Sequence, residues 1–341
     1  MTETDRLPPS PRRWPLRLAL ACAVAVAGWT AAWTWARARL ITEIDARLPI
    51  LAERGVEIVC PERTVGGWPF RLEVACRDPG VEIAAEGIGG SVSAVRLTVS
   101  VWSPTAVTLE ADGPLVAERD GQGRLDASWR RLAVVAQGWR AETARLALSV
   151  DGLDATTKTP DGRGGHLKAE HFEAQGRTGG DRAADLVLAV SAAASSLEIG
   201  GGRIGPPHAD LSATATLRDA LPPGPGEPAR AFAARGGRIE PIRVGFAVDG
   251  VRVDGKGALT LGADGLLDGT IDFAAQGLEA VVHDAAKLGA QTTSLLGAFV
   301  LLGKPSRDPD LPGRHLELVV DHGRPRFGRL VGAPMAPLFH P

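Results

Sequence analysis

The sequence predicts a mainly β protein: an N-terminal transmembrane helix, then a large curved antiparallel sheet, or two, rich in hairpins, with a C-terminal helical segment packed on the sheet. Three observations carry this expectation. One run of 19 uncharged, mostly apolar residues, Leu18 to Ala36, stands near the N-terminus. From Val81 to Thr216 apolar residues recur with period two, as strands buried on one face require. Eight Asp-Gly pairs, at Asp112, Asp120, Asp151, Asp161, Asp249, Asp254, Asp264 and Asp268, punctuate the pattern and suit the positive φ values of tight hairpin turns. No helical pattern of useful length separates these strands, which argues against a parallel α/β sheet.

Composition bounds the function classes. The chain has 341 residues, 44% of them hydrophobic, enough for one large or two ordinary domains with a core. Lys plus Arg (38) nearly balance Asp plus Glu (40), so there is no basic field to hold nucleic acid. The chain lacks Asn, and Asp-Gly takes over the turn work of Asn-Gly.

Residues 1–17 read as a cytoplasmic N-terminus and 18–36 as the anchor, since 19 residues at about 1.5 Å each cross a bilayer core of about 30 Å. Trp29, Trp33 and Trp35 crowd the far end and suit an aromatic belt at the interface. The rival reading is a cleaved signal at Ala25-Val26-Ala27, which the apolar run passes without pause. Lipidation at Cys22 is rejected, because Ala19 stands three before it and the preceding apolar stretch is short. Residues 37–55 read as a stalk helix: Leu40, Ile41, Ile44, Leu48 and Leu51 fall at helical spacing, Pro49 should bend or interrupt it, and Gly55 stops it.

Val56 to Asp78 reads as a hairpin. Folding about Trp68 places Cys60 opposite Cys76. Either reading of the leader exports this segment, and an oxidising compartment makes a disulfide the expected state of two extramembrane cysteines. A metal or redox pair fits poorly, as the spacing is neither C-x-x-C nor a zinc pattern. Pro61 limits ladder bonding and points to an edge or bulge.

The membrane helix, the amphipathic helix after it, the turn Gly66, Gly67, Trp68, Pro69, Phe70, Arg71 between two cysteines, and the long Ala/Gly-rich strand region together resemble an uncharacterised bacterial envelope family, domain of unknown function 2125. The resemblance spans nearly the whole chain and implies no activity. A second similarity, of Gly257 to Leu288, is to the C-terminal part of AsmA-like envelope proteins. It implies long curved sheets with an apolar trough and a part in moving or organising lipid between two membranes.

In the first β half, 56–218, Val95, Leu97, Val99 and Val101 share a face opposite Arg96, Thr98 and Ser100. Ala144, Leu146, Leu148 and Val150 repeat the pattern. The stretch 219–230, DALPPGPGEPAR, suits both a domain boundary and a long loop within one sheet. The second half, 231–341, holds further strands and a helical candidate at 278–302 suited to lie on a sheet. Glu279, His283, Asp284 and Lys287 argue against a second span there.

The search for chemistry is negative. Gly200, Gly202 and Gly205 match G-x-G-x-x-G, but Pro206 and Pro207 follow where a helix must open. Gly250 to Lys256 has P-loop spacing with Gly257 in place of the required hydroxyl residue. There is no G-x-S-x-G elbow. His166 and His171, five apart on a strand, are expected on opposite faces in surface roles, and the Asp-Gly pairs form no calcium-loop repeat. The expectation is therefore a single-pass protein of the inner membrane of a Gram-negative bacterium, its bulk periplasmic, with no enzyme activity, cofactor or metal. It would be a β-sheet module that binds or passes a lipid-like or other apolar ligand. The alternative is an assembly scaffold for other envelope proteins with a closed core.

Overall fold

The computed structural model describes residues 14–84, 87–138, 143–160, 164–179, 182–199, 202–221, 228–248, 250–278, 299–306, 308–309, 311–328 and 330–339. Helix α1 (Trp14–Glu53) is uninterrupted, so the expected anchor and stalk are one helix of about 60 Å at 1.5 Å per residue. Pro49 sits inside it without breaking it. The bond it removes is the one to the Asp45 carbonyl, and only the last turn of the helix lies beyond that point. The expected stripe of Leu40, Ile41, Ile44, Leu48 and Leu51 is the half-buried face of this stretch, and α1 packs there on strand β1 (Val56–Val59).

Strands β2 (Glu62–Gly66) and β3 (Arg71–Arg77) form the expected hairpin. Its register differs from expectation by three residues: Cys76 lies opposite Arg63. Cys60 still bonds Cys76, with Cα atoms 5.8 Å apart. The cause is a break in each strand, at Cys60-Pro61 before β2 and at Asp78-Pro79 before β4 (Gly80–Ile83), where Asp78 takes φ 49°. Pro61 has no N–H for the ladder, and the chain there swings Cys60 across to Cys76.

The sheet continues as an antiparallel meander. Strand β5 (Ile88–Ser100) pairs with both β3 and β4. Strand β6 (Ser103–Arg119) follows, and β7 (Gly123–Ser128) and β8 (Arg131–Gln137) lie end to end between β6 and β9 (Arg145–Lys158). Next come β10 (Gly165–Thr178), β11 (Leu186–Ile199) and β12 (Gly202–Leu217).

A crease crosses this part of the sheet. Following the register from strand to strand, the breaks at Cys60-Pro61 and Asp78-Pro79 line up with a shift between Val92 and Ala94, with Gly113-Pro114 in β6 and with the gap at Trp129-Arg130. They continue to Gly152 (φ 64°), the unpaired Glu170, and Ala194 (φ 46°) in β11. Bulges bend strands and raise their twist, so a line of them folds the sheet. Ala127, Val150, Ala169, Ala192, Ser195 and Ala209 are buried beside the crease. Trp129 fills it from one side: its Nε1 donates to the Ala111 carbonyl at 2.8 Å and its ring rests on Gly113.

Helix α2 (Pro228–Ala234) precedes β13 (Arg238–Val248), which pairs directly with β12. The stretch 219–230 therefore connects neighbouring strands of one sheet, although 222–227 lie outside the described residues. Strands β14 (Val251–Leu261), β15 (Leu267–Gln276), β16 (Lys304–Pro305), β17 (Arg314–Asp321), β18 (Arg324–Phe327) and β19 (Leu330–Val331) complete the sheet. Of the helical candidate 278–302, residues 279–298 lie outside the described residues. Its ends, Leu278 and Phe299, are buried in a core with Val248, Val251, Val253, Ala275 and Leu316. A second core joins Phe232 of α2 to Leu261 and Phe339, which packs the tail against the sheet at Phe339.

Four of the Asp-Gly pairs expected at turns, at Asp112, Asp151, Asp254 and Asp268, lie inside strands. Glycine serves close packing there: a Cβ on Gly255 would stand 2.6 Å from Val244 Cγ2 and 2.7 Å from Phe273 Cδ1. Val101, expected on β5, is in the turn after it.

Candidate functional site

Period-two alternation and register together sort the sheet into two chemically distinct faces. One cross-strand row runs Val65, Val74, Leu97, Leu109, Val134, Leu148, Ala174, Val190, Ala213, Val244, Gly255, Phe273, Leu316. The next row, on the opposite face, includes Glu73, Thr98, Thr108, Gln175, Thr214, Arg243, Lys256 and Asp272. Val150 and Ala192, buried at the crease, belong to the apolar face, so that face lies inside the bend.

Exposure divides the apolar face. Leu146 (53%), Leu188 (38%), Val190 (42%) and Leu211 (40%) are open on β9 to β12, and no described element covers them. Beyond β13 the same face is closed: Val253 is 7% and Ala275 2% exposed beneath Leu278 and Phe299. Contiguous apolar surface that the chain leaves uncovered marks an interaction site more often than chance would place it.

The outer face carries the charges. Arg96 bridges Glu73 (3.2 Å) and Glu110 (3.8 Å), and Arg124 bridges Glu118 (3.0 Å) and Asp126 (2.7 Å). His166 Nε2 lies 2.7 Å from Asp154 and His171 Nδ1 2.8 Å from Asp151. The ladder is interrupted where Gly152 (φ 64°) faces Glu170, and the alternation reverses across that break without a change of register, so both histidines lie on the charged face, contrary to the expectation of opposite sides. The hydrogen bond from His166 holds the Asp154 carboxyl below the usual carboxylate range, and that from Arg124 does the same for Asp126.

Asp185 is a buried acid that sequence reasoning passed over. It has no exposed surface and bonds Arg218 Nη1 at 2.8 Å and the Asp219 amide at 3.1 Å. Burial pushes its carboxyl up, but these hydrogen bonds and the Arg218 charge more than offset that and leave it below the ordinary value. Asp268, Asp321 and His322 also converge, at an exposed turn. The His322 amide donates to Asp268 at 2.6 Å and its ring lies 3.1 Å from Asp321, so mutual bonds account for the cluster.

Two of the three tryptophans expected as interface anchors make specific bonds. Trp29 Nε1 donates to the Pro69 carbonyl (2.9 Å) and Trp33 Nε1 to the Arg71 carbonyl (3.1 Å). One turn further, Arg37 Nε donates to the Val65 carbonyl (2.9 Å), and about three turns further Asp45 pairs with Arg63 at 2.7 Å. This i, i+4 stripe lays α1 along the hairpin, and Arg37 takes the Val65 carbonyl that the edge strand β2 would otherwise present to another chain. Trp35 is 71% exposed. In the turn motif Gly67 (φ 100°) accepts the Arg71 amide at 3.1 Å and Trp68-Pro69 is cis. A Cβ on Gly67 would stand 2.7 Å from the Arg71 carbonyl oxygen, so glycine is required there.

These features define a class: a single-sheet antiparallel β protein, with a disulfide in its first hairpin, behind a helix long and apolar enough to cross a membrane. Residues 33–337 match the sequence model of the family described as uncharacterised proteins conserved in bacteria, domain of unknown function 2125, and the chain belongs to that family. The matched region begins at Trp33 and so contains the helix stripe from there on, the hairpin and the whole sheet. No curated protein and no solved structure matches the chain, and the similarity to AsmA-like proteins gains no support from a matched relative.

Proposed function

We propose that this protein is a non-catalytic module of the bacterial cell envelope that binds or passes a lipid-like or other apolar ligand along the inside of its bent sheet. In this reading α1 spans the inner membrane once and the sheet stands in the periplasm, where an oxidising environment maintains Cys60–Cys76. The observation that carries the reading is the apolar face from β5 to β12. It is continuous across the strands, lies inside the crease, and is half open at Leu146, Leu188, Val190 and Leu211. Ligand sites are concave and mostly apolar, and an acyl chain needs no polar partner along its length. A scaffold with a closed core would instead have this face covered.

A photo-crosslinking residue at position 188 of the full chain, activated in cells and followed by mass spectrometry, tests the reading. Lipid adducts at 188 that are absent from outward-facing Gln175 are the expected result. Reproducible adducts to one protein, with no lipid, would favour the scaffold and overturn the lipid reading.

A further inference from the structure

The end of the sheet beside α1 carries an exposed aromatic cluster that the apolar trough does not use. Trp68 and Phe70, at the tip of the β2–β3 hairpin, are each 53% exposed; Trp102, at the tip between β5 and β6, is 77% exposed. The Phe70 and Trp102 rings lie 5.8 Å apart, and the Val101 amide donates to the Phe70 carbonyl at 2.9 Å, so the two tips form one unit. Large aromatics on adjoining turns have no core to serve there, and exposure on this scale calls for a partner.

Their position along α1 says which partner. The tip is tied to Trp29 and Trp33 through Pro69 and Arg71, and both tryptophans lie within the apolar run that ends at Ala36. Trp29 stands seven residues and Trp33 three residues before Ala36, which puts the tip about 5 to 10 Å inside the end of that run at 1.5 Å per residue. If α1 crosses a bilayer, the hairpin tips lie at the depth of the headgroup and acyl boundary, where Trp and Phe are most favourable. Behind the tips, Arg145 and Arg177 are exposed and directly opposite each other on β9 and β10. Like charges so placed destabilise a sheet, and neither has a carboxylate partner among the described residues. Together with Ser103 and Thr105 they line a cleft of about 610 Å³ that starts at the β5–β6 tip.

We infer that Trp68, Phe70 and Trp102 insert into the outer interface of the same membrane that α1 spans, with Arg145 and Arg177 beside lipid phosphates. The inference rests on the membrane anchoring proposed above. It makes the hairpin a second attachment, which holds the mouth of the trough against the bilayer and lets an acyl chain enter the sheet without crossing water.

The test uses the full chain in nanodiscs containing anionic phospholipid, in a Cys22→Ser background so that a nitroxide labels only an introduced thiol. Labels at Trp102→Cys, at Gln122→Cys on the turn at the far end of β6, and at Val24→Cys within α1 are compared for collision with oxygen, enriched in lipid, and with a nickel chelate, confined to water. The expected result is an oxygen-to-nickel ratio at 102 close to that at 24 and several-fold above that at 122. A ratio at 102 equal to that at 122, with 24 still lipid-like, overturns the inference and leaves the anchor standing. Nickel access at 24 overturns the anchor and the inference together. Spin–spin broadening at 102 that vanishes on dilution with unlabelled chain would assign the tip to a second copy and overturn the membrane contact. Should Trp102→Cys fail to fold, Phe70→Cys reads the same depth.

Discussion

Val190 on β11 and Val253 on β14 point from the same face of one sheet, yet 42% of Val190 and 7% of Val253 is exposed. Alternation of residue types is alike in the two regions. What differs is the cover: Leu278 and Phe299 close the face over β13 to β17, while among the described residues nothing lies over β9 to β12. Burial of apolar area is the main stabilising term, at about 25 cal/mol per Å². The closed part should therefore hold most of the stability. The open part must rely on ladder bonds, the crease packing around Trp129, the outward ion pairs and the disulfide, and it keeps its apolar surface available.

Phe299→Ala, in the closed part, should cost about 3 to 5 kcal/mol by emptying a 2% exposed core position. Urea unfolding of the full chain in detergent measures it. Asp185→Ala should cost about 3 kcal/mol, because it removes the fully buried carboxylate that Arg218, 16% exposed, bonds at 2.8 Å. The acid branch of stability reports on the same pair. A carboxyl held below its ordinary value contributes fully above the unfolded pKa of about 3.9, and that contribution is lost as pH falls through the folded value. Melting temperatures against pH should accordingly fall less steeply below pH 4 for Asp185→Asn than for the native chain, and parallel curves would refute the pairing.

On the open side, Cys60→Ser with Cys76→Ser should lower stability by about 3 kcal/mol, as expected for closing a loop with a separation of 16 residues. Free thiols in the native protein would contradict the bridge. Leu188→Ala should cost only about 1 kcal/mol, since 38% of the residue is already exposed. A loss as large as that at Phe299 would mean the face is covered in solution, and the contrast between the two regions would break down. The smallest effect is at His322, whose pKa is raised first by its hydrogen bond to Asp321 and then by the Asp268 charge. Its contribution is complete below the unfolded pKa of about 6.5 and is lost as pH rises through the folded value. His322→Gln should lower the melting temperature slightly at pH 6 and leave it unchanged at pH 9.

Period two in runs such as Ala144 to Val150 was legible because half-burial of a strand is a local pattern, and so was the hairpin about Gly66 to Arg71. The crease was not. Each break looks ordinary alone: a Pro here, an Asp-Gly there, an unpaired Glu170 elsewhere. They become one line only when register sets them side by side. The same limit explains the histidines, whose faces follow from the ladder break at Gly152 and Glu170, and Asp185, whose partner Arg218 is 33 residues away. Trp29 and Trp33 stood out in the sequence as aromatics crowded at one end of the apolar run. Their bonds to Pro69 and Arg71 could not be read, since nothing local specifies which helix face meets the hairpin.

The sequence by itself determined that the chain is an antiparallel β protein behind one long apolar helix, and that two cysteines flank its first turn. These properties follow from short-range periodicity, length and spacing. Only the tertiary structure decided that the helix covers the sheet's first edge, that the strands bend together along one crease, and that one apolar face is closed at one end and open at the other. Those outcomes depend on contacts between residues far apart in the chain, where register and the order of strands, rather than residue type, set what touches what.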